Sequence, residues 1–258
     1  MSIKAIFFDI DGTLLSHKSK RVPEDTRKAF EQLKAKGIKL FASTGRHILE
    51  IDRLPVRDME FDGYVLLNGQ LCLDGQRRLL WGNAIPKQDL EGILSFFEEK
   101  KIPLGLLELE RFYINFVNAQ VKEVQSSISS EVPEVGSYEG GEVYLVDAFI
   151  NHREAKMLLE RMPHCKVIWW NDLGADIISA GGGKVAGIQH MMSHYHIHRE
   201  EIMAFGDEEN DVEMIKFAQI GVAMGNAVEH LKQYADYITD DVDAGGILHA
   251  LQHFGILE

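Results

Sequence analysis

Two acids two residues apart, Asp9 and Asp11, stand in the stretch Asp9-Ile10-Asp11-Gly12-Thr13, directly after the apolar run Ala5-Ile6-Phe7-Phe8. Such a run reads as a buried parallel strand. Open α/β sheets place their ligands at the carboxyl ends of strands. A carboxylate can attack phosphorus only when its repulsion from the phosphate is offset. A Mg²⁺ ion shared by the two positions does that, and the pattern suits phosphoryl transfer through an aspartyl-phosphate. The second acid, Asp11, can protonate the departing alkoxide and later take a proton from attacking water. Gly12 permits a tight turn beyond the strand. In isolation the motif is equally consistent with a strand-end turn bearing surface acids.

Three further motifs offer matching chemistry. Ser43-Thr44-Gly45-Arg46 closes a second apolar run; a hydroxyl and free amides at a helix start are donors for phosphate oxygens. Arg46 can hold a second anionic or polyhydroxyl part of a substrate. Alone, a Thr-Gly at a helix start is more often a simple cap. Lys184 follows three glycines and opens a helix, where the helix dipole disfavours a cation; a reach toward phosphate is one reading, a solvated lysine behind a flexible linker the other. Gly206-Asp207-Glu208-Glu209-Asn210-Asp211 follows the run Ile202–Phe205. Asp207 is placed like Asp9 and can complete a hard-oxygen metal site. Asn210 can donate to phosphate, and Asp211 can support the ligands from behind. Glu208 and Glu209 read as acids that complement a helix start.

The elements that must position these residues alternate. A strand over 4–9, an amphipathic helix over 24–36 opened after Pro23 and stopped by Gly37, and strands over 38–43 and 63–67 make a βαβαβ order. That order implies a parallel sheet with helices on its faces. Asp74-Gly75 between two short apolar runs signals a hairpin. The rhythm then changes. Helices near 87–100, 119–130 and 152–162 mix with strands near 102–107, 111–117, 142–150, 166–170 and 176–179. After Gly181-Gly182-Gly183 the α/β rhythm returns, with helices over 184–194, 211–218, 227–235 and 244–254 and strands at 202–205 and 220–223. The expected fold is therefore α/β: a Rossmann-like parallel-sheet core built from 1–82 and 182–258, with an α+β module inserted at 83–181.

Bulk properties bound the partners. The chain has 258 residues and a formal net charge of −13, from 40 Asp and Glu against 27 Lys and Arg. That balance argues against a nucleic-acid backbone as partner but permits a small anionic substrate where a metal reverses the local field. The two cysteines, Cys72 and Cys165, show no CxxC pattern and read as reduced core thiols. The N-terminus lacks a secretory pattern, and no stretch reaches membrane-spanning length. The expectation is a cytoplasmic protein with no membrane partner, monomeric by default. His194, His196 and His198 read as helix-end and loop residues rather than metal ligands.

Acid pair, hydroxyl, lysine and acid cluster, in this order and at strand ends of one sheet, together resemble the haloacid dehalogenase superfamily of phosphohydrolases. The long insertion between Arg46 and Lys184, with Asn68-Gly69 shortly before it, looks like the type-IIB cap of the Cof-type subfamily. The resemblance covers essentially the whole chain. It implies a nucleophilic Asp9, an acid/base Asp11, phosphate contacts from Thr44, Gly45, Lys184 and Asn210, and Mg²⁺ held by Asp9, the backbone carbonyl of Asp11, and Asp207. It further implies a phosphatase for small phosphorylated metabolites, with sugar phosphates the leading class and flavin mononucleotide and pyridoxal phosphate as others, and a cap that reads the leaving group. Two alternatives remain at this point: a phosphomutase of the same superfamily, and a phosphorylatable sensor without turnover.

Overall fold

In a computed structural model the described residues are 3–128 and 130–258. The chain divides into two compact units, residues 1–81 with 183–258, and residues 82–182.

The first unit carries strands β1 (Ala5–Phe8), β2 (Lys39–Ser43), β3 (Gly63–Leu66), β4 (Leu71–Asp74) and β5 (Leu79–Gly82). In the second unit lie β6 (Leu104–Leu107), β7 (Phe112–Ile114), β8 (Leu145–Ala148), β9 (Cys165–Asn171) and β10 (Gly174–Ser179). The chain then returns through β11 (Ile202–Gly206), β12 (Ile220–Ala223) and β13 (Tyr237–Ile238). The first sheet runs in the order β13-β12-β11-β1-β2-β3-β4-β5. It is parallel from β13 to β3 and turns antiparallel at β4. Its central strands are buried on both faces, as their unbroken apolar runs require. On one face Phe7 stacks on Phe41 at 4.8 Å above Met191 and Ile188 of the helix Lys184–Tyr195. On the other, Phe8 lies between Phe30 of the helix Glu24–Ala35 and Phe205.

Because β1, β11 and β2 are parallel neighbours, their carboxyl ends lie side by side. The register pairs Phe8 with Phe205 and with Ala42, so the next residues of each strand, Asp9, Gly206-Asp207 and Ser43-Thr44, emerge on one edge of the sheet. The core fold thus matches the α/β expectation. One helix differs: the expected run 227–235 is helical only over Glu229–Lys232. Val228 before it is extended and its amide donates to the Asp207 carbonyl, so this backbone serves the acid loop. Ser129, which the expected helix 119–130 includes, lies outside the described residues, and that helix spans Ala119–Ser127.

The second unit holds an antiparallel sheet in the order β7-β6-β8-β10-β9, with Ile93, Phe97 and Leu158 among its core. Asn115 is buried there, and its amide does four things. The oxygen accepts from the Leu104 and Phe116 amides, and the nitrogen donates to the Phe97 and Ile102 carbonyls, all at 2.9 Å. A buried backbone group left unpaired costs ~1–3 kcal/mol. Asn115→Ala is therefore expected to destabilise this unit by about 2–4 kcal/mol, read as faster hydrogen exchange at Leu104–Leu107 with Ala5–Phe8 unchanged. Unaltered exchange in β6 would contradict the role given to this amide.

Candidate active site

Asp9, the first residue after β1, is buried, and its amide donates to the Phe205 carbonyl at 3.0 Å. This bond prolongs the β1–β11 pairing by one residue and fixes where the carboxylate leaves the sheet. Asp207 follows β11 on the neighbouring strand. Oxygens of Asp9, Asp207 and Asp211 lie within 4.8 Å of one another, all three residues being buried. This is the one potential metal-binding group of three or more acidic, His or Cys residues among the described residues. The histidines near 194–198 are outside it.

Lys184 reaches into this cluster. It is 3% exposed, and its Nζ donates to Asp9 Oδ1 at 2.7 Å and Asp211 Oδ1 at 2.6 Å. That explains a cation at a helix start: two carboxylates more than offset the unfavourable dipole. Burial works against the ammonium, but Asp211 and Asp9 outweigh it and hold its pKa above the ordinary lysine value. The second oxygen of Asp211 accepts from the Asp207 and Glu208 amides at 3.0 and 3.1 Å. Asp211 thus fastens both the loop and the lysine. Asp9 Oδ2 accepts no hydrogen bond from the described residues.

Asp11 stands apart from the three. Both its oxygens are taken by Arg46, Nε to Oδ2 at 2.5 Å and Nη2 to Oδ1 at 2.9 Å, and Arg46 Nη1 also meets Glu50 at 3.3 Å. Burial opposes the guanidinium charge, yet the Asp11 hydrogen bonds and charge raise its pKa. Arg46, read from the sequence as a substrate contact, is here turned onto Asp11. Thr44 is buried and its amide donates to the Val65 carbonyl, so its hydroxyl hydrogen is what it can offer a ligand. Asn210 donates to Asn68 Oδ1 at 3.0 Å.

Three contributors were assigned no role from the sequence. Thr13 Oγ1 donates to Asp207 Oδ1 at 2.8 Å. Asn226 donates to the Gly12 carbonyl at 2.8 Å and accepts from the Val242 amide at 2.9 Å, with Asp207 Oδ2 3.4 Å from its nitrogen. Asn68 is the third. Asn226 follows a strand end as Asp207 does, which was its one available signal. Thr13 had none beyond its place in the acid motif.

Charge tests whether these residues fit a divalent cation. Three carboxylates surround one ammonium, so a formal excess of two negative charges is buried. The donors are hard oxygens, and Asp9 and Asp207 come from adjacent strands; such a set suits Mg²⁺. The carboxyls register the excess. Burial, against the pull of Lys184, pushes Asp9 up to about 8, with Asp211 and Asp11 adding to the rise. Burial and the charges of Asp9 and Asp211 push Asp207 up to about 9.

Comparisons with known proteins identify the family of this fold. The family model for haloacid dehalogenase-like hydrolases matches residues 6–251. The chain belongs to this family. A Bacillus subtilis relative, YkrA, provisionally named a phosphatase, is 31% identical over 261 residues, covering 100% of both chains. The solved subclass IIB sugar phosphatase BT4131 superposes with a TM-score of 0.85 at 37% identity, over 98% of this chain and 100% of that one. BT1666 from Bacteroides thetaiotaomicron gives a TM-score of 0.89 at 30% identity, over 99% and 96%. The chain is a hydrolase acting on phosphoric monoesters. No helix among the described residues is long and apolar enough to cross a membrane.

Two predictions follow from the acid cluster. The raised carboxyls hold protons in the metal-free fold that the unfolded chain has released above its ordinary value of 3.8. Stability of the metal-free protein therefore falls as pH rises from that value through about 8 and 9. Magnesium binding near neutral pH is expected to expel protons and to tighten as pH rises. Calorimetric heats should then depend on the buffer's ionisation enthalpy; identical heats in all buffers would contradict this.

Gly12 has φ +83°, and a Cβ there would stand 2.0 Å from Asp207 Oδ2. Gly12→Ala is expected to displace that carboxylate and lower kcat/KM by about 100-fold. A variant with native kinetics would show that the acid's position is not critical.

Proposed function

We propose that this enzyme hydrolyses small phosphate monoesters, sugar phosphates first among them, by way of an aspartyl-phosphate on Asp9. The observation that carries the reading is the state of the Asp9 carboxylate. One oxygen is held by Lys184 and the other accepts nothing from the described residues, at the carboxyl edge of a parallel sheet. A carboxylate so fixed presents one free oxygen to a reacting phosphorus, which is what in-line attack requires.

The residues divide the work. Asp9 Oδ2 attacks phosphorus, and the Asp9–P bond forms as the ester P–O bond breaks. Asp11, once protonated and released from one Arg46 contact, gives that proton to the departing alkoxide and becomes the carboxylate. Water then attacks phosphorus, Asp11 takes its proton, and inorganic phosphate leaves with Asp9 restored. Lys184, the Thr44 hydroxyl, the Gly45 amide and Asn210 supply donors to the phosphoryl oxygens. Asp9, the Asp11 carbonyl and Asp207 would hold Mg²⁺, with Asp211 behind them. When bound, that ion offsets the repulsion between carboxylate and phosphate and polarises the phosphoryl group.

The sugar-phosphate preference is supported by the likeness to the sugar phosphatase BT4131. A second Bacillus subtilis relative, YitU, is named a 5-amino-6-(5-phospho-D-ribitylamino)uracil phosphatase and is 27% identical over 271 residues, covering 96% of each chain. A phosphorylated open-chain polyol therefore belongs in the same panel.

The test is magnesium-dependent phosphate release from a panel of monoesters. Asp9→Asn is expected to abolish turnover, and Asp11→Asn to lower kcat by about 10²–10⁴-fold. Retained activity in Asp9→Asn would remove Asp9 as nucleophile. A kcat/KM profile that favours ribityl over hexose phosphates would replace the sugar-phosphate assignment.

A further inference from the structure

The turn after β3 touches every element that carries a phosphate donor. Its residues, Leu67–Gly69, are buried. Leu67 and Asn68 both take left-handed backbone angles, φ 54° and 53°, which a leucine rarely adopts. Such strain persists only where surrounding contacts impose it. Here the contacts are specific. The Leu67 amide donates to the Arg46 carbonyl at 3.3 Å, and the Asn68 amide to the Thr44 carbonyl at 3.0 Å. A Cβ on Gly45 would lie 3.3 Å from both polar atoms of the Asn68 side chain. Gly69, at φ +82°, packs so tightly that a Cβ would lie 2.1 Å from the Gly183 carbonyl oxygen and 2.9 Å from Lys184 Cα. The Asn68 oxygen itself receives Asn210 Nδ2 from a loop 142 residues away.

We infer that Asn68 is a positioning residue for phosphate binding, acting through the hydrogen bond that orients the Asn210 side-chain amide. An amide has two donor hydrogens. With one spent on Asn68 Oδ1, the plane of the Asn210 amide is fixed and the direction of the second hydrogen with it. The backbone at Asn68 needs a residue that tolerates φ > 0, and the bond needs a short side chain ending in an acceptor; asparagine meets both demands. The inference rests on the reading of Asn210 as a phosphate ligand.

A double-mutant cycle on the affinity for inorganic phosphate in the presence of Mg²⁺ tests it, since this readout does not depend on turnover. Asn68→Gly keeps the left-handed backbone and removes the acceptor together with the rest of the side chain. Asn210→Ala is expected to weaken phosphate binding about tenfold and Asn68→Gly about fivefold, the scale of one charge-assisted hydrogen bond. The double variant should bind like Asn210→Ala alone. Unchanged affinity in Asn68→Gly, or effects that multiply in the double variant, would overturn the inference while leaving Asn210 as a ligand. An Asn210→Ala variant with native phosphate affinity would overturn both. Failure of the monoester panel with this cycle intact would remove only the proposed hydrolysis. The unmutated protein gives an independent check that no folding defect can disturb. The Asn210 side-chain amide should be as ordered as the rigid backbone on the nanosecond scale, with an order parameter of about 0.85, and a value below about 0.6 would overturn the inference.

Discussion

Three buried carboxylates around a single ammonium cannot all stay ionised without help. Lys184 pairs with Asp9 and Asp211 beside Asp207, and Arg46 is already bound to Asp11 and Glu50. The cluster must take up protons or a cation, and each choice has a consequence. Protons make Asp9 neutral, and a neutral carboxyl is a poor nucleophile. A divalent cation matches the excess charge and leaves Asp9 ionised. The same charge imbalance that costs the metal-free fold stability suits the site to a small, hard, doubly charged ion.

The fold holds this arrangement together against its own repulsion. Asp9 and Asp207 belong to adjacent parallel strands in register, so their separation is set by backbone hydrogen bonds rather than by flexible side chains. Asp211 contributes differently. It ties one oxygen to Lys184 and the other to two amides of its own loop, and so spends its acceptor capacity on structure. Thr13 and Asn226 do the same for Asp207 from outside. The donors that satisfy these carboxylates lower the cost of their burial.

Much of this was legible in the sequence, for a physical reason. Asp9, Asp11, Thr44 and Asp207 follow apolar runs, and a strand's end in an open α/β sheet is a ligand-facing place whatever the family. Lys184 was legible because a cation is out of place at a helix start. What escaped were the residues whose meaning is a partner far along the chain. Thr13 meets Asp207 across 194 residues and Asn226 meets Gly12 across 214; no local periodicity encodes either. Arg46 shows the converse. Its type suited a substrate's anionic or hydroxyl groups, but the sequence could not show that a carboxylate of the same protein, Asp11, stands within its reach. The helix expected over 227–235 failed similarly, because a long-range bond from the Val228 amide to the Asp207 carbonyl outweighed local propensity.

Strand ends alone would leave the catalytic side chains on independent loops, free to move against each other. The structure instead locks loop to loop by close backbone approach. Gly12 lets the first acid loop lie directly on the Asp207 carboxylate, and Gly69 lets the turn after β3 lie on the Gly183 carbonyl. At both places a single methyl group would be refused, because the facing atoms are a ligand carboxylate and a main chain rather than the end of a flexible side chain. Precision in the position of Asp9, Lys184 and Asp207 is therefore a property of backbone packing between segments widely separated in sequence. Thr13 and Asn226 hold the Asp207 carboxylate and the Gly12 loop from outside the acid cluster, so the cluster's geometry rests in part on residues that are not members of it.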